Sequence, residues 1–219
     1  MMIDLHTHSF FSDGELIPSE LIRRFESLGY SAVAITDHAD SSNLDFIIPR
    51  IVKVAGFLNS SQSVKVITGI ELTHVPPELI EPLVFKARDL GASLVLIHGE
   101  TIVEPVATGT NRAGIEAGAD ILAHPGLITD EDADLAAERG TLLEISGRSG
   151  HSFTNGHVAQ AAQKSGARLI LNSDTHSPEN IMTEEFARKV IEGAGLPSSS
   201  FSVVLSNAQR LLEKIGYPV

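Results

Sequence analysis

His6-Thr7-His8-Ser9-Phe10-Phe11-Ser12-Asp13-Gly14 follows directly on an apolar segment too short to be anything but a strand. Alternation along an extended backbone puts the two imidazoles on one side. A carboxylate then arrives on a tight turn, and histidines grouped with a carboxylate in this way form a metal-ligand cluster rather than a packing motif. The same pattern recurs along the chain. Val33-Ala34-Ile35 runs into Thr36-Asp37-His38, Val66 to Ile70 into Glu71, and Ser93 to Ile97 into His98. Ile121 to Ala123 ends at His124, Leu142-Leu143 at Glu144, and Leu169 to Leu171 at Asn172-Ser173-Asp174-Thr175-His176. Seven strands with seven polar ends are what a barrel of parallel strands produces when its active groups gather at the carboxyl ends.

Helical periodicity between these runs supports a parallel sheet. Leu21, Ile22, Phe25 and Leu28 share a face, with Gly29 at the capping position. Leu44 to Ala55 repeat the pattern, with Pro49 expected in a first turn or at a kink. Pro76-Pro77 open a third helix that carries Pro82 near its start. Shorter helices are predicted over 111–117, 130–138, 156–164 and 183–192. Ser206 and Gln209 read as a capping box that starts the last helix. No linker stands out except Pro197 to Ser200, so residues 1–219 read as one domain.

Composition narrows the function classes. A net charge of −12 argues against general attraction to nucleic acid, and no stable nucleic-acid partner is expected. Cysteine is absent, so a metal must be held by imidazole and carboxylate, which suits zinc, manganese or iron. No run is long enough to span a bilayer and no leader precedes the first strand, which predicts a soluble, cytoplasmic protein. A lone histidine is usually a solvated or hydrogen-bonded residue. Six histidines and three carboxylates at the ends of predicted strands are another matter. Glu144 and Asp37 read as acceptors that orient neighbouring histidines. His74, His151 and His157 fall in loop-like sequence and are expected to be solvated.

His6-x-His8 with Ser12-Asp13-Gly14, Thr36-Asp37-His38, Gly69-Ile70-Glu71, His98, Ala123-His124-Pro125-Gly126 and Ser173-Asp174-x-His176 resemble, in order, the motifs of the PHP (polymerase and histidinol phosphatase) family. The resemblance implies an α/β fold, a distorted (β/α)7 TIM-like barrel, with two or three divalent ions at its carboxyl face. It assigns one ion to His6, His8, Glu71 and Asp174, with Glu71 bridging to a second held by His98 and His124. A third lies with Asp13, His38 and His176; some family members have His where this chain has Asp13.

Such a centre suits phosphate esters. Three divalent ions outweigh the three carboxylates Asp13, Glu71 and Asp174, because neutral imidazoles cancel no charge, and a hydroxide with a phosphomonoester dianion restores the balance. Metal binding lowers the pKa of water from about 15.7 towards about 7, so that the hydroxide can attack phosphorus. Arg148, on the Gly147-to-Gly150 loop after the sixth apolar run, is the candidate for gripping phosphate, since a guanidinium binds it in bidentate fashion. Arg112 is a second candidate, and Asp37 or His176 could protonate the leaving group. The reading is a metal-dependent phosphatase of small phosphomonoesters, histidinol phosphate leading. Nucleotide or oligonucleotide esters and a non-catalytic accessory module are the alternatives. Amide hydrolysis on related barrels usually relies on a carboxylated lysine, and no Lys ends a strand here.

Overall fold

The computed structural model describes residues 2–219. The chain begins with β1 (Met2–Asp4), α1 (Pro18–Ser27), β2 (Tyr30–Ile35), the two-residue β3 (His38–Ala39), α2 (Leu44–Asn59) and β4 (Lys65–Leu72). It continues through α3 (Pro77–Asp89), β5 (Leu94–His98), α4 (Thr110–Glu116), β6 (Ile121–Ala123), α5 (Asp130–Arg139) and β7 (Leu142–Ser146). α6 (Asn155–Ser165), β8 (Leu169–Asn172), α7 (Glu184–Gly193) and α8 (Ser200–Lys214) complete it. The strands pair in parallel in the order β1-β2-β4-β5-β6-β7-β8, with β3 beside β4. Between β1 and β8 the barrel is nearly closed. A parallel bridge joins Thr7 to Thr175, the His8 amide donates to the Thr175 carbonyl at 2.8 Å, and the Leu5 amide donates to Asn172 Oδ1 at 2.9 Å. The result is a TIM-like α/β barrel of the predicted kind, with β3 as an addition that the sequence did not signal.

Strand alternation divides the apolar side chains into two cores. Ile3, Leu5, Ala32, Ala34, Ile67, Leu94, Leu96, Ile121 and Ile170 fill the interior, and α8 packs Ala208, Leu211 and Leu212 against them. The opposite faces, with Val33, Ile35, Val66, Val95 and Ile97, meet the surrounding helices. The interior therefore supports the strands from below, and the carboxyl ends carry the polar residues. Burying each Leu or Ile here contributes roughly 1.5–3 kcal/mol.

The helices mostly follow the apolar stripes. α1 starts with Pro18, buries Leu21, Ile22 and Phe25, and gives way to Gly29 at φ +79°. Pro49 lies inside α2, past its first turn, which leaves the helix interior of the two places expected for it. Its ring removes one intrahelical bond, but buried Leu44, Ile47, Ile48, Ile51 and Ala55 carry the helix through it. Pro82 is likewise inside α3. The capping-box reading at Ser206 and Gln209 fails, because α8 begins at Ser200 and places Ser206 in its interior. Buried Phe201 and Val204 extend the apolar stripe upstream, and that packing outweighs the local signal. Among the described residues no helix is long and apolar enough to cross a membrane.

Candidate metal centre

Each strand end delivers a side chain to one place. His6 and His8 follow β1, with ring centroids 5.0 Å apart. Glu71, near the end of β4, lies at the centre. Its Oε2 is 3.3 Å from His6 Nε2 and 3.6 Å from His8 Nε2, and its Oε1 is 3.5 Å from His124 Nε2. Asp174, beyond β8, brings Oδ1 to 3.3 Å from His8 Nε2 and Oδ2 to 3.7 Å from His124 Nε2. On the outer side, Asp13 Oδ1 lies 3.2 Å from His176 Nε2 and 3.6 Å from His38 Nε2. His98 and His124 have ring centroids 4.5 Å apart. Groups able to hold a cation include His8/Asp13/His38/His176, His6/His8/Glu71, His6/His124/Asp174 and His98/His124/His151.

These donors suit metal ions better than they suit one another. Buried polar atoms in proteins almost always find a hydrogen bond. Here His6 Nε2, both ring nitrogens of His8, Glu71 Oε1, His98 Nδ1, His124 Nδ1, Asp174 Oδ1 and His176 Nε2 are buried without one, while Glu71 Oε2 has His38 Nδ1 beside it at 2.8 Å. The chain also strains itself to present them. His124 and Asp174 adopt φ of +27° and +55°, conformations L-residues seldom take. Gly126 holds φ +64° where a Cβ would come within 1.8 Å of the Glu100 carbonyl oxygen. Glu144, fully buried, orients the set: Oε1 accepts from His6 Nδ1 and Asn172 Nδ2, both at 2.8 Å, and Oε2 accepts the His124 amide at 3.0 Å.

Electrostatics follow from the packing of opposite charges out of water. Burial penalises ionised Glu71, yet His6 and His38 pull its carboxyl well below the usual range. Burial alone would neutralise His6, but the Glu144, Glu71 and Asp174 carboxylates hold its imidazole well above its ordinary value. His151 is pushed down to about 3 by burial and by the neighbouring His124, so its lone pair is free at neutral pH.

A cavity of about 110 Å³ opens onto this cluster, lined by Asp13, His38, His98, His124, Arg148 and Asp174 among others. Arg148 lies on its wall with Nη1 3.3 Å from the Asp174 carbonyl oxygen and in contact with His176 Nδ1, while Nε is 3.7 Å from Asp174 Oδ2. Arg112 is elsewhere, paired with Asp132 at 2.6 Å. Asp37 is not among the residues that line the cavity. Its buried carboxylate accepts the amides and hydroxyls of Ser9 and Ser12 at 2.8–3.1 Å and so braces the turn that carries Asp13. His176 does line the cavity.

Two residues at the site were missed or misplaced from sequence. His151, expected to be solvated, is 5% exposed and stacks on His124 at 4.0 Å between ring centroids. Glu104, which carries no strand-end signal, sits at the cavity wall 3.2 Å from His98 Nε2. His74 is exposed, as expected, and bonds Glu104 at 3.0 Å. His157 hydrogen-bonds the Ile128 carbonyl, away from the cluster.

Fold and site together define a TIM-like barrel with a histidine–carboxylate centre at the carboxyl ends of its strands. The family model for the PHP domain matches residues 4–194, and the chain belongs to the PHP family. It is 46% identical over 218 residues to the uncharacterized protein MJ1295 of Methanocaldococcus jannaschii, covering 98% of this chain and 100% of that one. Two solved structures share the fold. A chain of archaeal ribonuclease P, in a structure with mature tRNA, superposes with TM-score 0.75 at 18% identity, covering 99% of this chain and 92% of that chain. The histidinol phosphate phosphatase of Lactococcus lactis, complexed with zinc, L-histidinol and phosphate, gives 0.63 at 17% identity, covering 89% and 94%.

Proposed function

We propose that this chain is a metal-dependent phosphatase that hydrolyses a small phosphomonoester. The observation that carries the reading is the convergence of buried, unsatisfied nitrogen and oxygen donors around Glu71 and Asp174. His6, His8, Glu71 and Asp174 would hold one ion, Glu71 with His98 and His124 a second, and Asp13, His38 and His176 a third. Bound divalent ions supply an activated water at neutral pH and stabilise charge on the phosphoryl oxygens. Zinc, manganese and iron all suit this donor set.

The chain's own residues do the rest. Arg148 offers a guanidinium beside the centre, placed to grip phosphate oxygens in bidentate fashion. The cavity of about 110 Å³ suits a phosphoryl group and leaves the organic part of the substrate towards the opening. Asp37 is spent on the Ser9–Ser12 turn, and His176, as a ligand of the third ion with its Nδ1 against Arg148, would have no proton to give, so the leaving oxygen would take its proton from solvent at the cavity mouth. Glu144 fixes the His6 ring and thereby the direction of its Nε2. The phosphatase neighbour that binds L-histidinol and phosphate supports phosphomonoester chemistry on this barrel. The ribonuclease P likeness supports a second reading, a nucleic-acid-facing or non-catalytic module. A net charge of −12 and an intact donor set weigh against it.

The test is metal analysis followed by a panel of phosphomonoesters, phosphodiesters and amides with added manganese or zinc. Bound metal of about one ion per chain or more and turnover of monoesters are expected. Hydrolysis confined to diesters or amides, or purified protein that binds no divalent ion, overturns the proposal.

A further inference from the structure

We propose that Glu104 is an additional ligand of the cation held by His98, His124 and Glu71, so that the loop over residues 99–109 belongs to the metal centre. The inference rests on the metal-dependent reading above and extends it to a residue outside the strand-end donor set. Glu104 comes from the connection between β5 and α4, yet three imidazoles from three other parts of the barrel turn their Nε2 atoms towards its carboxylate. His98 at the end of β5 stands 3.2 Å from Oε2, His74 after β4 stands 3.0 Å from the same oxygen, and His151 after β7 stands 3.5 Å from Oε1.

The separations sort these neighbours by role. Two donors each about 2.0–2.2 Å from one zinc ion at a tetrahedral angle lie about 3.3–3.6 Å apart. The His124–Glu71 separation of 3.5 Å falls in that interval, and the His98–Glu104 separation of 3.2 Å lies just below it. His98, Glu104 and His74 form one group able to hold a cation, and His98, His124 and His151 form another, so His98 joins Glu104 to the rest of the centre. His74 makes a hydrogen bond to Glu104 through Nε2 at 3.0 Å, the geometry of a residue that orients a ligand. Its own backbone is strained at φ +51° to reach there.

The loop is held over the site at a second point. Thr101 Oγ1 bonds His151 Nδ1 at 2.8 Å, which fixes the ring with Nε2 towards Glu104 and the cavity. Further along, Glu100 Oε1 accepts the amides of Gly109 and Asn111, both at 3.0 Å, and pins the far end of the loop to the start of α4. Glu104 thus stands on a segment anchored at both ends, as a ligand must be for its geometry to be reproducible. Its carboxylate would also offset part of the positive excess that three divalent ions leave against Asp13, Glu71 and Asp174.

Metal-stripped protein and its Glu104→Gln variant are titrated with zinc against a competing chelator, and amide hydrogen exchange over residues 99–109 is followed with and without the metal. Glutamine keeps the shape of the side chain and removes the charged donor. The variant is expected to weaken one site by about tenfold or more, since loss even of an outer partner costs a ligand set that much. Zinc is expected to slow exchange across the loop in the parent and not in the variant. Equal affinity at every site together with equal protection of the loop overturns the assignment of Glu104 while leaving the phosphatase reading intact. A changed KM for cationic substrates at unchanged zinc affinity also overturns it, and assigns the carboxylate to the substrate instead. A parent that binds no zinc overturns both.

Discussion

Glu144→Gln is the most incisive perturbation of the centre, because Glu144 touches the proposed ligands without being one. Its Oε1 takes the His6 Nδ1 proton and an Asn172 amide proton, each at 2.8 Å, and its Oε2 takes the His124 backbone amide at 3.0 Å. Three donors thus face two oxygens that both accept. Glutamine replaces one acceptor with an NH2 group that must point at a donor, and it removes the charge that makes the His6 bond strong. Outer partners of this kind are worth about 10–100-fold in metal affinity, or about 1.4–2.8 kcal/mol. One mismatched buried donor adds about 1–3 kcal/mol to the cost in stability. Zinc affinity would be read by competition with a chelator, with circular dichroism and a melting curve confirming that the barrel remains folded. Affinity within a factor of about two of the parent, in a folded variant, would falsify the view that Glu144 sets the His6 ring.

Other perturbations probe separate parts of the argument. Arg148→Ala should raise KM for a phosphomonoester by about tenfold or more with a smaller change in kcat, and an unchanged KM in steady-state kinetics removes Arg148 from the phosphate pocket. Asp4 is pushed from 3.8 up to about 7 by burial, despite the amides of Ser173 and His6 that bond it. The folded state therefore binds its proton more tightly than the unfolded chain does, and stability is lost as pH rises from about 4 to about 7. In chelator, Asp4→Asn should melt increasingly above the parent across that interval, whereas a gap that does not change with pH contradicts the sign. Gly126→Ala should cost more than about 2 kcal/mol in chemical denaturation, from a positive φ and a Cβ set against the Glu100 carbonyl. A loss below about 0.5 kcal/mol would mean that the turn after His124 relaxes freely.

Much of this protein was legible in one dimension. A parallel barrel places its reactive groups at the carboxyl ends of its strands, so an apolar run followed by a histidine or carboxylate reports fold and site together. That is why His6, His8, Glu71, His98, His124 and Asp174 could be read in order, and why all of them meet. The helices were legible for the same reason, since each buries one stripe. Tertiary structure decided what no periodicity encodes. Loop conformation depends on contacts between distant segments, so Glu104, His74 and His151 reach the centre through partners far away in the chain. The role of Asp37 turned on the direction of one strand-end side chain, away from the cavity and into the Ser9–Ser12 turn. The start of α8 turned on what Phe201 and Val204 had to cover, because burial of an apolar face outweighs a capping signal.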